Sequence, residues 1–252
     1  RKQKILFDYS KYITFTNPYT KKDFINYYGP EYEEKSKVCR FGLTPLESLK
    51  KTPNKAECVR EFHLDPYKLK VAIGYSATSG HQHKEILNTL KGYPKLRKRC
   101  QFIIPLTYGD ANYRNTLKDY IEKEHKEDDI IILENFLSMD EVAKLRKATD
   151  IMINTQITDQ FSGSMQETLF ANNIVINGSW LPYGLLKERG IYFEEVDKIE
   201  EIPDKLEYII DNYDHLKVKC ERNPEIIWEL SSWEKNIESW LELYEKALER
   251  KK

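Results

Sequence analysis

From residue 70 onward, short apolar runs alternate with amphipathic segments. Six runs read as strands, at residues 70–75, 101–106, 130–133, 150–154, 174–177 and 191–193. Phe102-Ile103-Ile104 and Ile130-Ile131-Ile132-Leu133 are continuous rather than alternating in polarity, which predicts strands covered on both faces in a parallel sheet. Parallel neighbours need crossovers. Amphipathic stretches at 83–92, 112–124, 139–147, 163–172, 182–189 and 203–212 supply them, several opened by a start signal such as Ser138 or Pro182. The expected class is α/β, with a Rossmann-like, doubly wound parallel sheet occupying residues 67–230.

Upstream, 12–15 reads as a strand, 20–28 as a helix ended by Gly29-Pro30, and 37–41 as a second strand ended by Gly42. One βαβ unit is too small to be a domain. A linker at 45–66, charged and irregular from residue 50, leads to the sheet, and residues 231–252 form a terminal amphipathic helix. On that helix Trp233, Ile237, Trp240, Leu241, Tyr244 and Leu248 fall near one face, and so much aromatic surface needs something to pack on. The chain starts at Arg1 without a methionine and turns apolar almost at once, so it is expected to be part of a longer polypeptide.

Composition narrows the function. With 252 residues and 40% apolar content, the chain can bury a sizeable core. Its 40 basic and 41 acidic residues leave a formal charge of −1, so no global field draws it to nucleic acid. Cys39, Cys58, Cys100 and Cys220 are widely spaced, without a C-x-x-C pair, which argues for reduced thiols rather than a zinc site or disulfide framework. No apolar run approaches a membrane span and nothing resembles a signal peptide, so a cytoplasmic protein, soluble or peripheral at the inner membrane face, is expected. The basic run Lys91, Lys95, Arg97, Lys98, Arg99 reads first as a solvated connection, with contact to anionic lipid as its alternative.

The richest chemistry lies in Asp159-Gln160-Phe161-Ser162-Gly163-Ser164-Met165-Gln166-Glu167, where two carboxylates flank a small-residue turn that opens a helix after the fourth strand of the sheet. Ser162-Gly163-Ser164 can bring backbone N–H groups and a positive helix end to a diphosphate, and a carboxylate one turn later can accept from ribose hydroxyls. A plainer reading competes with this one. Ser164 to Glu167 fits a capping box, as do Thr44-Pro45-Leu46-Glu47 and Ser138-Met139-Asp140-Glu141, where no chemistry is near. Position favours the ligand, because open α/β sheets bind at the carboxyl ends of their strands.

The order of motifs resembles the carboxyl-terminal half of a GT-B glycosyltransferase, a class with two Rossmann-like domains facing each other across a cleft. The resemblance covers most of the chain. Val38 to Thr44 is similar to the strand and turn by which that class leaves its amino-terminal domain, so residues 1–44 would be its remnant, the last βαβ unit of the acceptor domain. Ile73-Gly74-Tyr75-Ser76-Ala77 with Gly80-His81-Gln82-His83-Lys84, and Pro105-Leu106-Thr107-Tyr108-Gly109, are similar to motifs of the 4-acetamido-4,6-dideoxygalactose transferases. Asp159 and Glu167 resemble the paired acids, E-x7-E, of retaining GT-B enzymes. Ser232-Trp233-Glu234 and the helix to Tyr244 look like the segment that crosses back onto the amino-terminal domain.

The resemblance implies a donor site for a UDP- or dTDP-sugar. Glu167 would bind ribose, Asp159 would face the transferred sugar, and Ser162, Gly163 and Ser164 would touch diphosphate and sugar. Asn135, Phe136 and Leu137 would hold the base, with Tyr108 and Gly109 nearby; Gly74 and Ser76 belong to the same binding set, and His83 or Lys84 would offset the leaving diphosphate. The chain departs from the pattern twice. Its first acid is Asp159 rather than Glu, and His81, His83 and Lys84 stand where a Gly-Arg then Lys-Gly pair is usual. The plain readings there are a solvated loop for the histidines and an exposed helix-start side chain for Lys84. No cofactor or metal is expected, since His81 and His83 lack a third ligand.

The leading expectation is the donor-binding portion of a transferase that moves sugar to a glycan or lipid-linked acceptor in cell-surface polysaccharide synthesis. It would be inactive without the amino-terminal domain. A nucleotide-sugar epimerase of the same fold would need acids and a histidine set for elimination, and no such set is visible. A dehydrogenase would need G-x-G-x-x-G after the first strand of the sheet, where Gly74-Tyr75-Ser76-Ala77-Thr78-Ser79-Gly80 stands instead. A non-catalytic nucleotide-binding module stays open.

Overall fold

The computed structural model describes residues 2–159 and 161–249; Arg1, Gln160 and 250–252, which fall in the expected first unit, the acid-flanked turn and the terminal helix, lie outside the described residues. The chain divides into two compact units, Arg1–Thr44 with Trp228–Lys252, and Pro45–Ile227.

In the first unit β1 (Ile13–Phe15) and β2 (Ser36–Val38) pair in parallel and are joined through the Pro18–Tyr28 helix. Asn17 caps that helix by accepting from the Thr20 N–H (2.9 Å), and Gly29 ends it at φ 123°. The Trp233–Leu248 helix belongs to the same unit. Its Trp240 indole donates to the Arg40 carbonyl (2.9 Å) and stacks on Phe41 with ring centroids 5.2 Å apart. Lys11 donates to the Ala247 and Glu249 carbonyls (2.8 and 2.7 Å), where a cation offsets the helix dipole. Because Trp240 and Leu243 anchor this helix and Trp233 packs on Gly42, the rest of the expected apolar face is left uncovered: Ile237, Leu241, Tyr244 and Leu248 are 40 to 81% exposed.

The second unit carries a parallel sheet of six strands: β3 (Leu69–Ile73), β4 (Cys100–Pro105), β5 (Ile130–Leu133), β6 (Ile151–Asn154), β7 (Ile174–Gly178) and β8 (Glu194–Val196), in the order β5-β4-β3-β6-β7-β8. β4, β6 and β7 are buried at every position, as continuous apolar runs require. Period-two alternation sends Phe102 and Ile104 to one face, packed with Ile86, Leu90, Leu117 and Leu206, and Ile103 to the other with Leu145 and Ala148. Helices therefore cover both sides.

Two expectations are corrected. The sixth strand is 194–196 rather than 191–193: Ile191 and Phe193 are buried, but the Tyr192 N–H and carbonyl are taken by the Asn223 side chain (2.9 and 2.8 Å), so they cannot join the ladder. The stretch 50–66 is not irregular throughout. It contains the Lys55–Glu61 helix, capped by Asn54, whose Cys58 and Val59 pack with Leu64, Leu145 and Ala148. Two adjacent apolar residues on so short a helix give no periodicity to read.

Beneath β3 and β6, at their amino ends, Asp150 is buried with its carboxylate between Lys55 and Lys70. It accepts from the Lys70 N–H (2.8 Å) and the Tyr213 hydroxyl (2.8 Å), lies 3.4 Å from Lys70 Nζ, and bonds Lys55. Burial alone would raise its pKa, but attraction and hydrogen bonding from Lys55, with the Lys70 N–H, outweigh burial and hold it below the ordinary value. A depressed carboxyl stabilises the fold above its unfolded pKa and loses that contribution as pH falls through its folded pKa. Asp150→Ala is expected to cost about 3–5 kcal/mol in urea denaturation at pH 7, since it strands the buried Lys70 ammonium and the Lys70 N–H. The gap between wild type and variant should shrink below pH 4; a gap unchanged with pH would contradict this assignment.

Candidate functional site

Strand order decides where a ligand can sit. β3 and β6 are neighbours, yet the chain leaves β3 towards β4 and β6 towards β7, so the loops that follow diverge and open a crevice at their carboxyl ends. Gly74 follows β3 at φ 63°, and a Cβ there would stand 2.8 Å from His81 Cγ and His83 Nε2, so only glycine makes this turn. The loops after β3 and β4 are laced together, with the Ala77 N–H on the Tyr108 carbonyl (2.7 Å) and the Asp110 N–H on that of Ala77 (2.8 Å). Gly109, at φ 113°, lets the second loop approach so closely. The Ile157 N–H reaches the Gly80 carbonyl (2.9 Å), which ties the loop after β6 to the one after β3.

At this edge lies a cavity of about 330 Å³. Pro105, Leu137, Val142 and Leu145 give it an apolar wall, Tyr108 and Phe136 contribute exposed rings, and Arg146, Ser164 and Glu167 give it a polar wall. Volume and lining suit a small organic ligand. Of the residues expected at a donor site, Tyr108, Phe136, Leu137, Ser164 and Glu167 meet here. Gly74, Ser76, His83, Lys84, Gly109, Asn135, Asp159, Ser162 and Gly163 do not line it.

The Gly163–Phe170 helix starts where the sequence predicts, but its cap is Ser162, whose hydroxyl accepts from the Met165 N–H (3.4 Å). The Ser164–Glu167 capping box does not form. Glu167 Oε2 instead accepts from Arg146 Nε (3.1 Å), and Arg146 Nη2 donates to Ser164 Oγ (2.8 Å). The same S-x-x-E pattern at Ser138–Glu141 does form the box, with both reciprocal bonds present.

Asp159 is held by the Tyr183 hydroxyl, which also accepts from the Ser162 N–H (2.8 Å). Burial, then the neighbouring Asp159 charge, drives the Tyr183 phenol well above its ordinary pKa, so it stays a donor. Phe161, next to this clamp, adopts φ 71° and stacks on Tyr183 with centroids 5.7 Å apart. A bulky residue in that region is strained, and the Tyr183 contacts hold it there.

His81 and His83 are 3% and 0% exposed, not in a solvated loop. His81 Nε2 pairs with Ser76 Oγ (3.0 Å) and His83 Nδ1 with the Tyr113 hydroxyl (3.1 Å). Burial lowers His81 to about 4; burial, then the adjacent His81, lowers His83 to about 3. Both rings are neutral at neutral pH and shape the loop rather than charge it. The Lys84 ammonium lies 5.4 Å over the Tyr120 ring. In the basic run, Lys91 pairs with Glu124 (3.0 Å), Arg97 with Asp128, and Arg99 with Asp211 (2.7 Å). Among the described residues no cluster of His, Cys, Asp or Glu is placed to hold a metal ion, and no helix is long and apolar enough to cross a membrane.

Arg146 is the charged residue of the cavity wall that the sequence reading missed. Its signal was present: on the helix opening at Met139, Arg146 falls in line with Met139, Val142 and Ala143, a cation on an apolar stripe. Tyr183→Phe should cost about 1–3 kcal/mol in urea denaturation, because it removes the partner of the buried Ser162 N–H. Unchanged stability would mean that the phenol does not hold this loop.

No protein-family model matches the chain, and no curated protein matches its sequence. Solved structures do match its fold. Sucrose-phosphate synthase from Thermosynechococcus elongatus superposes with a TM-score of 0.81 at 12% identity, over 97% of this chain and 60% of that one. HepE of Anabaena, in complex with UDP and glucose, gives 0.80 at 14% over 96% and 65%, and a glycosyltransferase from Rickettsia africae gives 0.76 at 17% over 96% and 64%. The chain thus spans about 60 to 65% of the length of these structures, and its architecture is that of the carboxyl-terminal part of the GT-B glycosyltransferase fold.

Proposed function

We propose that this chain is the donor-binding portion of a glycosyltransferase that moves sugar from a nucleoside diphosphate to a glycan or lipid-linked acceptor in cell-surface polysaccharide synthesis. The observation that carries the reading is the convergence of Ser164 and Glu167 with Phe136, Leu137 and Tyr108 on one cavity at the carboxyl edge of the sheet. The base would lie against Phe136 and Leu137, the ribose at Glu167, and the diphosphate at the Gly163 and Ser164 backbone N–H groups that follow the Ser162 cap. HepE, which shares the fold, has been crystallised with UDP and with UDP-glucose, and this supports a nucleotide-sugar donor.

Transfer builds positive charge at the anomeric carbon and negative charge on the departing diphosphate, so the protein's work is positioning and neutralisation. The amino end of the Gly163–Phe170 helix supplies partial positive charge where the leaving group would collect its own. Asp159, fixed by Tyr183, would face the sugar. An amino-terminal acceptor domain would complete the enzyme, and the exposed stripe Ile237, Leu241, Tyr244, Leu248 offers it a docking face; the chain alone would bind donor without turnover.

Calorimetry tests this reading. UDP should bind in the presence of EDTA, and Glu167→Ala should weaken binding by about 1–3 kcal/mol, the cost of a lost polar contact. Equal affinity for wild type and variant would remove Glu167 from the site.

A further inference from the structure

Arg146 and Glu167 form an ion pair, 5% and 7% exposed, in the wall of the cavity. Such a pair is a poor structural staple, because two well-packed apolar side chains would join the same helices at no desolvation cost. Its geometry is asymmetric. The guanidinium takes Oε2 of Glu167 through Nε and Ser164 Oγ through Nη2, while among the described residues no hydrogen bond engages Oε1. The arginine is itself anchored: its carbonyl accepts from Asn173 Nδ2 (2.6 Å), and the Asn173 N–H reaches the Thr168 carbonyl (3.1 Å) on the Glu167 helix. Arg146 is also the cation, and Glu167 the anion, among the side chains that line the cavity. The pair is neutral overall, so it is not built to hold a diphosphate by charge. It holds one carboxylate in one orientation.

We propose that Arg146 is a positioning residue that fixes the Glu167 carboxylate to receive both hydroxyls of a vicinal diol, so that the site selects ribonucleoside over 2′-deoxyribonucleoside diphosphates. This rests on the donor-site reading above. A carboxylate swinging freely could follow a lone 3′-hydroxyl and regain much of the lost interaction. A clamped one cannot, so removing the 2′-hydroxyl leaves a charged acceptor under-satisfied, and Arg146 acts on selectivity only through Glu167.

The test is titration of UDP and 2′-deoxy-UDP into this chain, its Arg146→Met and Arg146→Lys variants and Glu167→Gln, with thermal unfolding in parallel. Wild type should prefer UDP by about tenfold or more, the difference that one charge-assisted hydrogen bond supplies. Arg146→Met should bind both ligands with a ratio near one. Should that variant fail to fold, Arg146→Lys decides: it keeps the charge, loses the two-pronged grip, and should cut the preference at least threefold. A merely structural arginine would lower melting temperature and both affinities together and leave the ratio intact, which would overturn the inference. Equal binding of the two ligands to wild type would overturn it while leaving the donor site standing. No binding of either would overturn both.

Discussion

A parallel sheet buried on both faces can offer polar chemistry only at its strand ends, and every functional assignment in this chain follows from that constraint. β4, β6 and β7 carry no exposed position, and helices seal the two faces with side chains such as Leu90, Leu117, Leu145 and Ala148. At the amino ends the buried carboxylate of Asp150 is consumed by Lys55, Lys70 and Tyr213 in holding β3 beside β6. The carboxyl ends remain. There the cavity with Glu167 in its wall lies among the residues that follow β4 and β5 and the Met139–Ala148 and Gly163–Phe170 helices.

Charge at this edge is arranged with economy. His83, which the sequence placed at the phosphate, and its neighbour His81 are neutral parts of a buried loop, Lys84 rests on Tyr120, and the arginine beside the cavity is matched by a glutamate. What the chain offers an anion is the backbone of the Gly163–Phe170 helix start, held in place by Ser162 and by the Tyr183 clamp on Asp159. That arrangement fits a domain that binds and orients a donor.

Much of this was legible in the residues. The strand carrying Phe102-Ile103-Ile104 and the helix start at Gly163 emerge where the apolar runs and the small-residue turn put them, because burial on both faces leaves an unbroken hydrophobic signature and a cap leaves a local one; the equally continuous Ile130–Leu133 run forms an edge strand that is only half-buried at each position. What stayed hidden depends on tertiary partners. Tyr192 looks like strand until Asn223 takes its backbone groups, and Ser164 looks like a cap until Arg146 takes Glu167. The solvated-loop reading of the histidines fails because polarity in a Gly-rich loop ordinarily means exposure, whereas here Gly74 lets the chain close on both rings and bury them. Pair partners distant in sequence, Arg146 with Glu167 and Tyr183 with Asp159, carry no local pattern at all.

The most direct measurement is a crystal structure of this chain with UDP bound. The account predicts uracil against Phe136 and Leu137, the ribose hydroxyls on Glu167 with Arg146 still behind it, and phosphate at the turn Ser162-Gly163-Ser164. Nucleotide density elsewhere on the chain, or a ribose out of reach of Glu167, would contradict it.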